Sequence, residues 1–132
     1  MEEEEIYKEN ILDHYRNPHN TGELQDYSIR HRELNPLCGD QIELFVKVEG
    51  CRCSDVKFCG KGCAISQAAT SMLTDKIKNK NIDELKKITQ EEVVNMLGIP
   101  VGIVRLKCAL LPLKTLQKGI IKWEKGELCQ TN

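Results

Sequence analysis

Apolar and polar positions alternate along this chain with two distinct periods, and the change from one to the other divides it. Near the start, Ile6, Tyr7, Asn10, Ile11, His14 and Tyr15 recur at helical spacing, which predicts an amphipathic helix ending near RNPHNTG, where Pro18 and Gly22 are breakers. DYSIRHREL then reads as a strand. In QIELFVKVEG the residues Ile42, Leu44, Val46 and Val48 share one face with the two-residue period of a half-buried strand. Gly50 begins a turn, and CSDVKFCG returns as the hairpin partner.

After GKG the texture becomes helical. Ile65, Ala68, Ala69, Met72, Leu73 and Ile77 form a stripe, so a helix begins at or beside Cys63. Thr89 and Glu92 make a capping box ahead of Val93 and Val94, and Gly98 ends that helix. IPVGIV reads as a loop or short extended piece, and RLKCALLPLKTLQKGIIKW as a last helix with Cys108 at its start. Pro112 falls within that helix's first turns, where proline is either tolerated or marks a kink. A helix, about three strands and then helices predict an α+β fold, an antiparallel sheet covered by helices on one face. The 132 residues fit a single domain, 1–132, with a frayed, flexible tail from about residue 125.

Charge narrows the function. With 19 basic and 20 acidic residues the formal net charge is -1, which argues against nucleic acid or an anionic membrane as partner. No apolar run approaches the roughly 20 residues that cross a bilayer. The acidic start MEEEEIYKEN is unlike a signal or transit peptide, and a cytoplasmic protein is expected.

Seven cysteines are many for this length, and an odd number cannot all pair internally. In a reducing compartment they point to metal binding, catalysis or burial rather than to a disulfide framework. Cys38 sits in the tight loop NPLCGD, two positions from Asp40, so a soft sulfur and a hard oxygen ligand lie side by side. Cys63 opens a helix, where the dipole and free amides favour thiolate. Cys108 has Arg105 and Lys107 nearby, which also favour thiolate.

Each of these cysteines alone fits a small buried hydrophobe equally well, and their long, unequal gaps match no compact zinc ladder. A local zinc knuckle from Cys51, Cys53, Cys59 and Cys63 is disfavoured, because their spacings straddle a strand. Cys51 and Cys53 read as turn or strand residues, and Cys129 as a tail residue without a fixed role. His14 and His19 read as structural or solvent-facing, and His31 is undecided.

The stretches ILDHYRNPHNTGEL, NPLCGDQIEL, FCGKGCAISQAATSML and RLKCALLPLKTL, in this order, resemble the IscU/SufU/NifU N-domain family of iron-sulfur cluster scaffold proteins. The resemblance runs from about Ile6 to Trp123. It implies an IscU/SufE-like α+β fold with a three-stranded antiparallel sheet and a site at one end. It implies Cys38, Cys63 and Cys108 as three thiolate ligands, with Asp40 in the same site. As partners it implies a cysteine desulfurase of the IscS, NifS or SufS type, which delivers persulfide sulfur, and apo iron-sulfur proteins, which receive a [2Fe-2S] cluster. Three cysteines per chain also allow a cluster shared by a homodimer.

A cluster needs four terminal ligands, and a carboxylate matches iron less well than a thiolate, so Asp40 as the fourth would make the site easier to open. The chain departs from the IscU type at Lys107, where that type has histidine; a protonated lysine donates no lone pair and is read as electrostatic support. Lysine there resembles SufU members, which bind zinc and accept sulfur, but the inserted segment of SufU between the second and third cysteines is absent. GIPVGIVR stands where IscU carries its chaperone motif LPPVK. The expectation is a non-enzymatic scaffold with Cys108, exposed at a helix start, receiving the persulfide. The alternatives are a zinc-dependent sulfurtransferase using the same four residues around Zn2+, and a zinc-binding interaction module.

Overall fold

The computed structural model describes residues 2–36 and 39–126, with the side chains of 2–7, 103 and 104 outside the description. Helix α1 (Glu2–Arg16) leads into strands β1 (Ile29–Asn35), β2 (Asp40–Glu49) and β3 (Arg52–Lys61). Helices α2 (Ala64–Ile77), α3 (Ile82–Lys86), α4 (Gln90–Leu97) and α5 (Ile103–Gly126) follow. The strands form one antiparallel sheet in the order β1-β2-β3, so the α+β expectation holds, three strands included.

The alternation in β2 places Ile42, Leu44 and Val46 in the core, with Val48 partly buried beyond a bulge between Lys47 and Val48. Phe45 points the other way yet is also buried, under the Arg30 guanidinium 5.0 Å above its ring and the edge of Tyr27. Gly50 and Cys51, both at positive φ, form the two-residue β2–β3 turn, whose twist suits a hairpin. α5 packs on β1 and β2, α2 on β3, and α1 on α2. A second apolar cluster of Ile11, Ala68, Ala69, Met72, Leu97 and Ala109 joins α1, α2, α4 and α5.

Three readings change. Tyr15 lies outside the buried stripe of α1 and is exposed, because Ile11 and His14 already take the face toward α2. Residues 82–86, assigned no element from sequence, form α3; it buries only Ile82 and Leu85, too few apolar positions to show a period. Helix α5 starts at Ile103, inside the stretch read as extended, so Pro112 lies well within the helix. Residues 127–132, including Cys129 and most of the expected tail, fall outside the described residues.

Candidate metal and sulfur site

The β1–β2 hairpin closes on the pair Asn35 and Asp40, with Gly39 N–H donating to the Asn35 carbonyl at 2.9 Å. Gly39 turns the chain at φ +71°, and Asp40 enters β2 with its side chain inward, 1% exposed. Cys38, in this loop, lies outside the described residues.

At the far end of β3, Gly62 takes φ +150° and leads to Cys63, the N-cap of α2. A Cβ on Gly62 would collide with Asp40 Oδ1 and approach Ser66 Oγ to 2.9 Å, so only glycine lets the two hairpin ends meet. Cys63 N–H donates to Asp40 Oδ1 at 2.9 Å, a hydrogen bond to an acidic side chain that ties the first residue of β2 to the start of α2. The second oxygen, Oδ2, lies 4.0 Å from Cys63 Sγ.

Cys63 is half-buried. Burial pushes its thiol pKa up, but the Ser66 amide, the Ser66 hydroxyl and the Cys108 side chain outweigh that and the opposing Asp40 charge, leaving it below the ordinary thiol value. The Ser66 amide reaches Cys63 Sγ at 3.5 Å and the Ser66 hydroxyl lies 3.9 Å from it. A helix N-terminus thus favours thiolate here, as the sequence suggested.

Cys108 is fully buried in the second turn of α5, not exposed at a helix start. The earlier start of α5 moves it inward, where α5 crosses α2 and β1. Asn35 Nδ2 lies 3.8 Å from its sulfur. Four residues on, Pro112 has no N–H to offer the Cys108 carbonyl, which softens the helix beside the site.

Asp40, Cys63 and Cys108 each present one ligand atom within 4.8 Å of the others. Three of the four expected ligands are therefore brought together from three separate elements. Lys107, next in sequence, is exposed and borders a groove with Leu34, Asn35 and Pro36. Ser66 and Asn35 were not singled out from sequence. Ser66 was legible as the third residue after the Cys63 cap, and Asn35 as the first of NPLCGD.

The remaining described cysteines are held elsewhere. Burial pushes the Cys53 thiol up to about 11, and its S–H donates to the Asp55 carbonyl. Cys59 donates to the Gly22 carbonyl. Cys51 is the second residue of the β2–β3 turn, in agreement with its reading as a turn residue. Among the described residues no four-cysteine knuckle forms. His31 is settled as a β1 residue bonded to Glu33 at 2.6 Å.

Residues 6–130 match the NifU-like N terminal domain family. The chain is 38% identical to the zinc-dependent sulfurtransferase SufU of Bacillus subtilis, over 92% of this chain and 93% of that protein. It is 35% identical to the iron-sulfur cluster assembly scaffold protein IscU 1 of Archaeoglobus fulgidus, over 89% of this chain and 76% of that one. Among solved structures, FiSufU of Fervidobacterium Islandicum AW-1 superposes with a TM-score of 0.75 at 30% identity, over 88% of this chain and 97% of that one. The N-terminal NifU-like protein of Brucella abortus, 21% identical, shares the fold with a TM-score of 0.78 over 94% of this chain and 98% of that one. The family match runs through every element that carries the site, and the chain belongs to the NifU-like N-terminal domain family.

Proposed function

We propose that this protein is a scaffold on which a [2Fe-2S] cluster is built from iron and desulfurase-derived sulfur and then passed to apo-proteins. Cys38, Cys63 and Cys108 are its thiolate ligands and Asp40 its fourth. The observation that carries this reading is the convergence of Asp40, Cys63 and Cys108 within 4.8 Å. Relatives named as IscU scaffold proteins support it.

The division of labour follows from the contacts. Asp40 Oδ1 is anchored by the Cys63 amide, while Oδ2 remains on the sulfur side, so one carboxylate group both orients and coordinates. An oxygen ligand held in place by a separate hydrogen bond releases iron without unfolding the loop. Of the site's two described thiols, only Cys63 reaches the surface, and its lowered pKa supplies the nucleophile. Its thiolate attacks the outer sulfur of the desulfurase persulfide; the new S–S bond forms on Cys63 as the old one breaks, and the desulfurase cysteine leaves as thiolate. This replaces the exposed Cys108 expected from sequence.

A second reading is a zinc-dependent sulfurtransferase. Lys107 in the place of histidine and the relative named for that activity favour it, and the same three cysteines and Asp40 form a four-ligand set suited to tetrahedral zinc. Anaerobic purification with metal analysis, followed by an absorption spectrum before and after iron, cysteine and a cysteine desulfurase, separates the two. The scaffold reading expects cluster absorption to appear and to be lost on adding an apo-acceptor. One tight zinc with sulfur uptake and no cluster absorption would contradict it and establish the second.

A further inference from the structure

At the other end of α2, twelve residues beyond Cys63 and about 18 Å along the helix axis, a second set of ligating side chains converges. His14 comes from the last turn of α1, His19 from the segment after it, and Asp75 from α2. One nitrogen of each ring and one oxygen of the carboxylate lie within 4.8 Å of one another. The two rings stand 4.5 Å apart between centroids and tilted by 48°, converging rather than stacked face to face.

The groups around them hold all three in place. Ser71 Oγ, on the fully buried Ser71, lies 2.7 Å from His14 Nδ1 and accepts the His19 backbone N–H at 2.8 Å. With His14 Nδ1–H donating to Ser71, the lone pair of that ring sits on Nε2. Asp75 Oδ2 meets His19 Nδ1 at 2.6 Å, and Asp75 Oδ1 accepts from Asn20 Nδ2 at 2.8 Å. Asn20 Nδ2 also donates to Thr74 Oγ1, and Asn20 itself takes φ +62°. Ligating histidines are commonly oriented by a hydrogen bond at the ring nitrogen that does not bind the ion, the place Ser71 takes at His14.

We propose that His14, His19 and Asp75 form a second divalent-cation site, for a borderline ion of the zinc class, which clamps the end of α1 to α2. Two imidazoles and one carboxylate are a donor set for zinc and its neighbours, and three protein ligands leave a position for water or a further ligand. With both imidazoles neutral, the pocket carries the single negative charge of Asp75 and suits a divalent cation. His14 is 8% exposed, whereas the side chains of His19 and Asp75 are 47% and 45% exposed, so an ion enters from solvent on their side. No thiolate belongs to this cluster, so its ligand chemistry differs from that of the cysteine site.

That difference makes the test. Co2+ titrated anaerobically into the tag-free chain reports thiolate ligation by strong near-ultraviolet charge transfer, and imidazole–carboxylate ligation by weak visible bands without it. The proposal expects a second equivalent of the latter kind. It also expects Zn2+ to shift the ring nitrogens of His14 and His19 in 15N spectra. His19→Ala and Asp75→Asn, both at exposed side chains, each abolish the second equivalent and leave the charge-transfer equivalent unchanged, with folding checked by circular dichroism. Binding that shows no thiolate-free equivalent, or a second equivalent that survives both substitutions, overturns the proposal. Failure at the cysteine site reads out separately, as loss of the charge-transfer band alone.

Discussion

Gly62 shows how much of the site rests on a single missing atom. Its backbone is in a region that side chains avoid, and a Cβ there meets Asp40 and Ser66, the two groups that position Cys63. Gly62→Ala is expected to destabilise the fold by about 1–3 kcal/mol in urea denaturation and to weaken zinc binding, since Asp40 must move; unchanged stability and affinity would mean that the contact relaxes freely. At the same scale, exposure separates the two described thiols of the site. Iodoacetamide added to the chelator-treated, folded protein is expected to modify Cys63 well before Cys108, as read by peptide mass spectrometry. Equal rates would show that α5 opens readily around Pro112. The inward position of Cys108 was not legible in RLKCALL, because the helix start at Ile103 has no cap signal and the direction of a cysteine on a helix is decided by the neighbours it meets. Cys63 was legible, since GKG followed by a helical stripe marks a helix N-terminus locally.

Between elements, α5 and β1 approach closely at Gly119. A Cβ on Gly119 would approach Ile29 Cγ2 to 2.9 Å and His31 Cβ to 3.2 Å, so this glycine sets the distance at which α5 lies on the sheet. Gly119→Val is expected to cost about 1–3 kcal/mol and to lower the denaturation midpoint; a neutral result would mean that α5 can slide on β1. Beside it, Glu33 is bonded to His31, with Lys114 and Lys118 within 4 Å. Burial pushes the Glu33 carboxyl up, but the His31 hydrogen bond and the lysine charges outweigh it, and its pKa lies below the ordinary 4.5. The folded state therefore binds a proton at Glu33 less readily than the unfolded chain. This contribution is fully present above about pH 4.5 and is lost as pH falls through the lowered folded value. Glu33→Gln should flatten that part of the acid-stability curve, and identical curves would remove Glu33 from the account. The elements themselves were largely legible: the period of β2, the stripe of α2 and the Thr89–Glu92 cap of α4 each announce themselves within a few residues. α3 was missed although Asn81 and Glu84 form the same kind of capping box, because five residues leave no period to confirm it.

Over the whole molecule, the sheet brings both hairpin ends and the second turn of α5 to one place, which no local pattern could state. NPLCGD and GKGC are far apart in sequence but adjacent at the ends of antiparallel strands, and the pairing of Gln41 with Lys61 makes them so. The order of four motifs supplied that long-range information through resemblance, while the cluster of His14, His19 and Asp75 had no motif to reveal it. In the proposed scaffold Asp40 is the ligand that lets the cluster go. This role is tested most directly by loading the wild type and Asp40→Ala with a [2Fe-2S] cluster and following transfer to an apo-acceptor by circular dichroism. The cluster is expected to persist longer on Asp40→Ala; transfer that is unchanged or faster would remove that role from Asp40.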